Sequence, residues 1–336
     1  MFGPGVGLYL AYFYPREKLG FRLGVFISGA ALANAYGSAL AYGISHINSN
    51  IGNWQLLFII EGVPSCLLGL ITWFFVPDSP GTCRFLNERE KKIATAIAHQ
   101  QPGDFEYEGL NIKQFFSAGM DYRSYFTAMM YFGCNVSFAS LPLFLPTIVS
   151  ELGEFTQIQS NGLSAPPYLA CFFVIIIASI LSDRLGVRGP FVVFFASVSA
   201  VGFLLLGVTT GTGPRYFALF LAVNSFVCVA LILPWVANNN STDSNRTGGY
   251  WILQTIGQCG PLLGTNVFPA KDAPYYRKGS FISMGFSLLV AVLAAILVVL
   301  LWRENRRRDK KYGRVQDTHI EVGADANEDP NFRYVL

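Results

Sequence analysis

Glu61, in the stretch FIIEGVP, is the single Asp, Glu, Lys, Arg or His within the long apolar runs of this sequence. An ionised side chain at the centre of a membrane helix costs of order 2.5–3.5 kcal/mol. A lone carboxyl there has two uses. Desolvation raises its affinity for a proton, so it can carry one; or it stays as a structural group hydrogen-bonded to a neighbouring helix. Gln254 and Gln258 are four residues apart and share one helix face, where amides can hold a carboxylate by hydrogen bonds. Amides in lipid also act as interhelical glue, worth about 0.6–2 kcal/mol each. The stretch ASILSDRLGVRG puts Asp183, Arg184 and Arg188 at the end of another apolar run. The plainest use of those arginines is to anchor a turn at the membrane surface.

Other chemistries lack their residues. The six Cys form no CxxC pair, so neither a metal site nor a disulfide framework is expected. No His/Asp/Cys constellation lies within an apolar run, which argues against an enzyme, and no cofactor or nucleic-acid partner is expected.

The elements that carry these residues are membrane helices. Hydrophobic residues make up 52% of the 336 and charged ones 13%, against about 25% charged in soluble domains. Mean hydropathy is +0.40. The sequence predicts an all-α polytopic membrane protein. Each span needs about 20 mostly apolar residues, and eight segments qualify: 23–44, 56–76, 125–149, 163–182, 190–208, 216–237, 248–268 and 281–302. A ninth run, 2–14, is too short to cross alone and reads as part of a spanning helix.

Lys and Arg set the orientation. With the C-terminus cytoplasmic, 20 of the 24 fall inside; only Arg215, Lys271, Arg277 and Lys278 fall outside. The sequons at Asn239, Asn240 and Asn245 then lie inside, where glycosylation is not expected. A charged connector, 79–122, separates three apolar runs from six. The polar tail from Glu304 onward is expected to be disordered.

Six spans after a long internal loop resemble the second half of a major facilitator transporter, and ASILSDRLGVRG resembles that superfamily's cytoplasmic loop signature in its second-half copy. The stretches LYLAYFYPREKLGFRLGVFISGAALANAYGSALAYGI, FLPTIVSELG and GQCGPLLGTNVFPAKDAPYYRKG are similar to the fungal anion:cation symporters, which include allantoate, nicotinate and pantothenate permeases. IGQCGPLLGT and APYYRKG look most like the nicotinate-permease clade. RTGG at 246–249 departs from the family pattern, which usually carries another basic residue there.

The resemblance implies a fold lacking helices one to three, because the family's PGV lies midway along helix four and here it is Pro4, Gly5 and Val6. It divides the chain into a remnant of the first bundle (1–78), a central cytoplasmic loop (79–122), a six-helix bundle (123–303) and a cytoplasmic tail (304–336). It implies proton-coupled uptake of a small organic anion by alternating access at the plasma membrane. The alternative is a non-transporting fragment, or a partner of a full-length copy. By analogy with the family's cavity, Asn34, Asn135, Asn224, Gln254 and Gln258 become candidate substrate contacts. Asp183, Arg184 and Arg188 become candidate gating residues, able to lock two bundles in one state and release them in the other. Glu61 falls on a helix that is peripheral in this fold, which favours its structural role. Tyr9, Tyr12 and Tyr131 could stack on an aromatic acid, but are expected rather to pack as aromatics.

Overall fold

A computed structural model describes residues 2–14, 18–47, 51–99, 115–116, 119–153, 155–240, 243–313 and 332–336. The greater part of the connector 79–122 from residue 100 on therefore lies outside the described residues, as does the tail between 314 and 331.

The described residues form helices joined by short links. They are α1 (Phe2–Phe13), α2 (Leu19–Ile44), α3 (Asn53–Phe75), α4 (Glu88–His99), α5 (Tyr122–Ser150), α6 (Gln157–Leu185), α7 (Gly189–Val208), α8 (Thr212–Ala222), α9 (Ser225–Asn239), α10 (Asp243–Gly257), α11 (Gly260–Gly264) and α12 (Arg277–Tyr312). Among the described residues, seven stretches are long and apolar enough to cross a membrane, with α8 and α9 together making one of them. The chain is an integral membrane protein of all-α architecture.

Local chemistry sets the helix ends. Asp121 accepts the Arg123 N–H and caps α5. Thr156 and Gln159 form a reciprocal capping box at the start of α6. Gly186, at φ 64°, ends α6 in the left-handed conformation that glycine adopts without strain. Prolines stand inside α3, α5, α6 and α9, as membrane helices tolerate when neighbours satisfy the freed backbone groups.

Two expected spans are interrupted. Segment 248–268 is not one helix: α10 gives way to α11 around Gln258 and Cys259. Segment 216–237 breaks between α8 and α9, where the Asn224 amide turns back onto the carbonyls of Phe220 and Leu221. The last helix runs on. The tail was expected to be disordered from Glu304, yet α12 stays helical to Tyr312, with Arg307 and Arg308 paired to Glu304 one turn earlier.

Helix α9, whose residues from Ser225 to Asn238 are all buried, packs against α2, α5, α6, α7 and α10. The glycines of α11 lie directly on the α5 backbone: a Cβ at Gly260 would meet the Phe132 carbonyl, and one at Gly264 the Val136 carbonyl. Small residues let membrane helices approach this closely.

The α1–α3 group joins the rest mainly through α2 against α6, in antiparallel register. Gly20 faces Asp183 and Arg188, Gly24 faces Ser179, and Tyr42 faces Gly162. By contrast, α3 contains no buried residue.

Candidate functional site

The residues singled out from sequence divide into two places and some outliers. The first place is the meeting of α5 with α10. Asn135, buried on α5, donates from Nδ2 to the Gly257 carbonyl at 3.1 Å. Gln258 Nε2 donates to Gln254 Oε1 at 2.9 Å, as the four-residue spacing predicts. Tyr131, buried on α5, stands beside them. Its ring packs on Gly257, where any Cβ would strike it. The structure thus brings Asn135 to the end of α10 that carries Gln254 and Gln258, with the Tyr131 ring packed at the same place. Sequence reading gave that tyrosine a packing role, and its ring lies on the α10 backbone at Gly257. Gln258 is exposed and Gln254 half-buried, so the cluster keeps open amide groups.

Asn34 and Asn224 do not join it. Asn34 Nδ2 donates to the Ala30 carbonyl of its own helix at 2.8 Å. Asn224 spends its amide donors on Phe220 and Leu221 and shapes the α8–α9 break. Glu61 is exposed on α3, with Oε1 beside Gly37 of α2. Tyr9 donates to the Pro77 carbonyl at 2.7 Å. The side chain of Tyr12 lies outside what is described.

The second place is the end of α6. Asp183 Oδ1 accepts from Arg188 Nη2 at 2.8 Å, with the two side chains only 13% and 3% exposed. Its other oxygen, Oδ2, accepts the Phe21 main-chain N–H at 2.6 Å. Phe21 lies in the first turn of α2, where N–H groups have no intrahelical acceptor. One carboxylate therefore neutralises the buried Arg188 guanidinium just beyond its own helix and caps α2. Burial pushes the Arg188 guanidinium below its ordinary range, and Asp183 opposes that shift. Arg184 is exposed, so the partner of Asp183 is Arg188 and not its neighbour in sequence.

Buried polar groups also occur where sequence gave no cue. Cys134, Ser199, Ser225, Cys228 and Ser287 line a small cavity among α5, α7, α9 and α12. In sequence such residues are indistinguishable from small packing residues. Arg215, read as a loop residue, is buried in the first turn of α8 and donates to the Tyr275 carbonyl at 3.2 Å.

Helices of this length, packed through glycines and joined across an antiparallel α2–α6 seam with a carboxylate–arginine pair at one end, define a polytopic α-helical membrane fold. The chain belongs to the major facilitator superfamily, whose family model matches residues 1–265. Among curated proteins it is 30% identical to the major facilitator-type transporter hxnP of Emericella nidulans, over 100% of this chain and 69% of that protein. It is 27% identical to the high-affinity nicotinic acid transporter of Saccharomyces cerevisiae, over 100% of this chain and 63% of the relative. Among solved structures, the proton:xylose symporter XylE bound to 6-bromo-6-deoxy-D-glucose matches with a TM-score of 0.66 at 14% identity, covering 85% of this chain and 65% of that one. That likeness concerns the fold alone. The chain spans roughly two thirds of the length of the curated relatives it matches.

Proposed function

We propose that this chain is the larger part of a proton-coupled symporter that takes up a small organic anion, a nicotinate-like carboxylate or a related vitamin or ureide, by alternating access. The observation that carries this reading is the group of amides Asn135, Gln254 and Gln258, with the Tyr131 ring packed beside them, set at the helix break at Gln258 and Cys259. Interrupted helices mark substrate sites in secondary transporters, because freed backbone groups and side-chain amides can face a solute there. Neutral donors suit a carboxylate, and the open amide of Gln258 is the one best placed to meet it. Similarity to a nicotinic acid transporter and to the anion:cation symporter stretches supports the substrate class.

In the same reading, residues 1–78 belong to the first bundle, 79–122 to the central loop, 123–303 to the second bundle and 304–336 to the tail. The loop and the C-terminus face the cytoplasm at the plasma membrane. Support comes from charge: Arg123, Arg188, Arg308 and Arg333 share one end of the molecule, while Arg215 and Arg277 gather around Tyr275 at another place. Asp183 and Arg188 serve as the gate, and Arg184 as a surface anchor. Glu61 has a structural role beside α2.

A second reading has its own observation. In it these 336 residues, roughly two thirds of the length of their curated relatives, act only with a further segment or a full-length copy; the outward Trp54, Phe58, Trp73 and Phe75 of α3 suit lipid and such a partner alike. Uptake of labelled nicotinate in a yeast strain lacking its own permease tests both. Saturable, pH-dependent uptake by a version extended upstream, and none by the 336 residues alone, supports the two readings together. Uptake by the 336 residues alone sinks the second. No uptake of nicotinate or a related anion by either version sinks the first.

A further inference from the structure

Residues Phe332–Leu336, the end of a tail that sequence reads as disordered, lie folded against the basic end of the α5–α12 group. Phe332 is fully buried and Tyr334 nearly so. Two asparagines hold the segment by its backbone. Asn305 of α12 donates to the Tyr334 carbonyl at 2.8 Å and accepts the Tyr334 N–H at 2.9 Å. Asn239 of α9 donates to the Val335 carbonyl at 3.0 Å and accepts the Val335 N–H at 2.8 Å. Each side-chain amide thus satisfies both polar groups of one residue, as a neighbouring strand would. Trp235 Nε1 adds a second donor to the Val335 carbonyl at 2.8 Å.

Side chains supply the register. Arg123 lies over the Tyr334 ring at 4.4 Å, Arg308 over the same ring at 5.1 Å, and Arg333 pairs with Asp309 at 2.8 Å. The Leu336 main-chain oxygen accepts the N–H groups of both Arg188 and Gly189. Those are first-turn donors of α7 that have no intrahelical acceptor. The segment therefore touches α5, α7, α9 and α12, and ends on the arginine that pairs with Asp183.

We propose that this end of the bundle is a groove for an extended, aromatic-bearing peptide, that its occupant is the chain's own Phe332–Leu336, and that the seated segment holds Arg188 against Asp183 and so keeps Asp183 on Phe21. Seating restrains the four helix ends as one body; release frees the α6–α7 turn. The consequence for the transport cycle rests on the symporter reading, but the groove and its hold on Phe21 are observable without any transport.

The test is hydrogen–deuterium exchange on the full chain in lipid nanodiscs. The Phe21, Arg188 and Gly189 amides lack helical acceptors, so their protection reports the contacts described here. In the parent chain the Tyr334 and Val335 amides should be protected. Phe332→Ala with Tyr334→Ala should speed exchange about tenfold or more in peptides covering Lys18–Gly24 and Val187–Val192, with Tyr216–Leu219 unchanged. Arg333→Glu should give a smaller increase, and adding Asp309→Arg should reverse it by restoring the pair with exchanged charges. Tail amides exchanging at free-peptide rates in the parent would overturn the groove. A released tail with Phe21 still fully protected would overturn the hold on the gate. Failure of the charge exchange to restore protection would overturn the specific docking.

Discussion

The Phe21 N–H and the Asp183 carboxylate, 162 positions apart in sequence, meet at 2.6 Å. This bond closes one end of the α2–α6 seam, and the same carboxylate holds Arg188. Asp183 therefore carries a contact to α2 and the charge balance of Arg188 at once.

Replacing Asp183 separates those roles. Asp183→Asn keeps an acceptor for Phe21 but leaves a buried guanidinium without its counter-charge. Breaking one partner of such a pair costs about 3–5 kcal/mol. Size-exclusion thermostability in detergent should fall sharply for Asp183→Asn and less for Asp183→Asn with Arg188→Met. Equal loss in the single and double variants would show that the charge pairing contributes little.

Two glycines on one helix give opposite expectations. At Gly24 a Cβ would overlap the Ser179 side chain, whereas at Gly29 nothing lies within 4 Å. Gly24→Val should part α2 from α6 and lower the yield of folded protein. Gly29→Ala should be neutral or stabilising, by up to about 1 kcal/mol from helix propensity. Monodisperse yield after solubilisation decides it, and a harmless Gly24→Val would mean that the two helices do not touch there.

The polar cluster predicts a split between stability and affinity. Asn135→Ala removes a buried interhelical bond and should lower stability by about 0.6–2 kcal/mol. Gln258→Ala, at an exposed amide, should leave stability intact and raise the KM for uptake several-fold in a version extended upstream. Uptake kinetics measured beside surface expression separate the two, and an unchanged KM in Gln258→Ala removes this residue from the site.

Glu61→Gln keeps size and hydrogen-bonding capacity but cannot ionise. In the extended version it should retain uptake with its pH dependence. Loss of pH dependence at normal surface expression would instead assign proton coupling to Glu61.

The sequence by itself determined the class of structure. Apolar runs of about 20 residues point to membrane helices, because a helix satisfies its own backbone in lipid, although the run 248–268 breaks at Gln258 and Cys259. It also determined the i, i+4 meeting of Gln254 with Gln258, since that contact lies within one helix. Tertiary structure decided the rest. Asp183 pairs with Arg188 and not Arg184 because the left-handed turn at Gly186 brings the chain back on itself. Asn34 and Asn224 are consumed by their own helices, while Asn135 reaches Gly257, 122 positions away. Composition cannot tell those outcomes apart, because an amide's partner depends on what packs beside it. The tail shows the limit most plainly. Its polar residues predict disorder, yet Phe332 and Tyr334 find a buried seat that helices far apart in sequence build together. No local pattern encodes a groove whose walls come from four different helices.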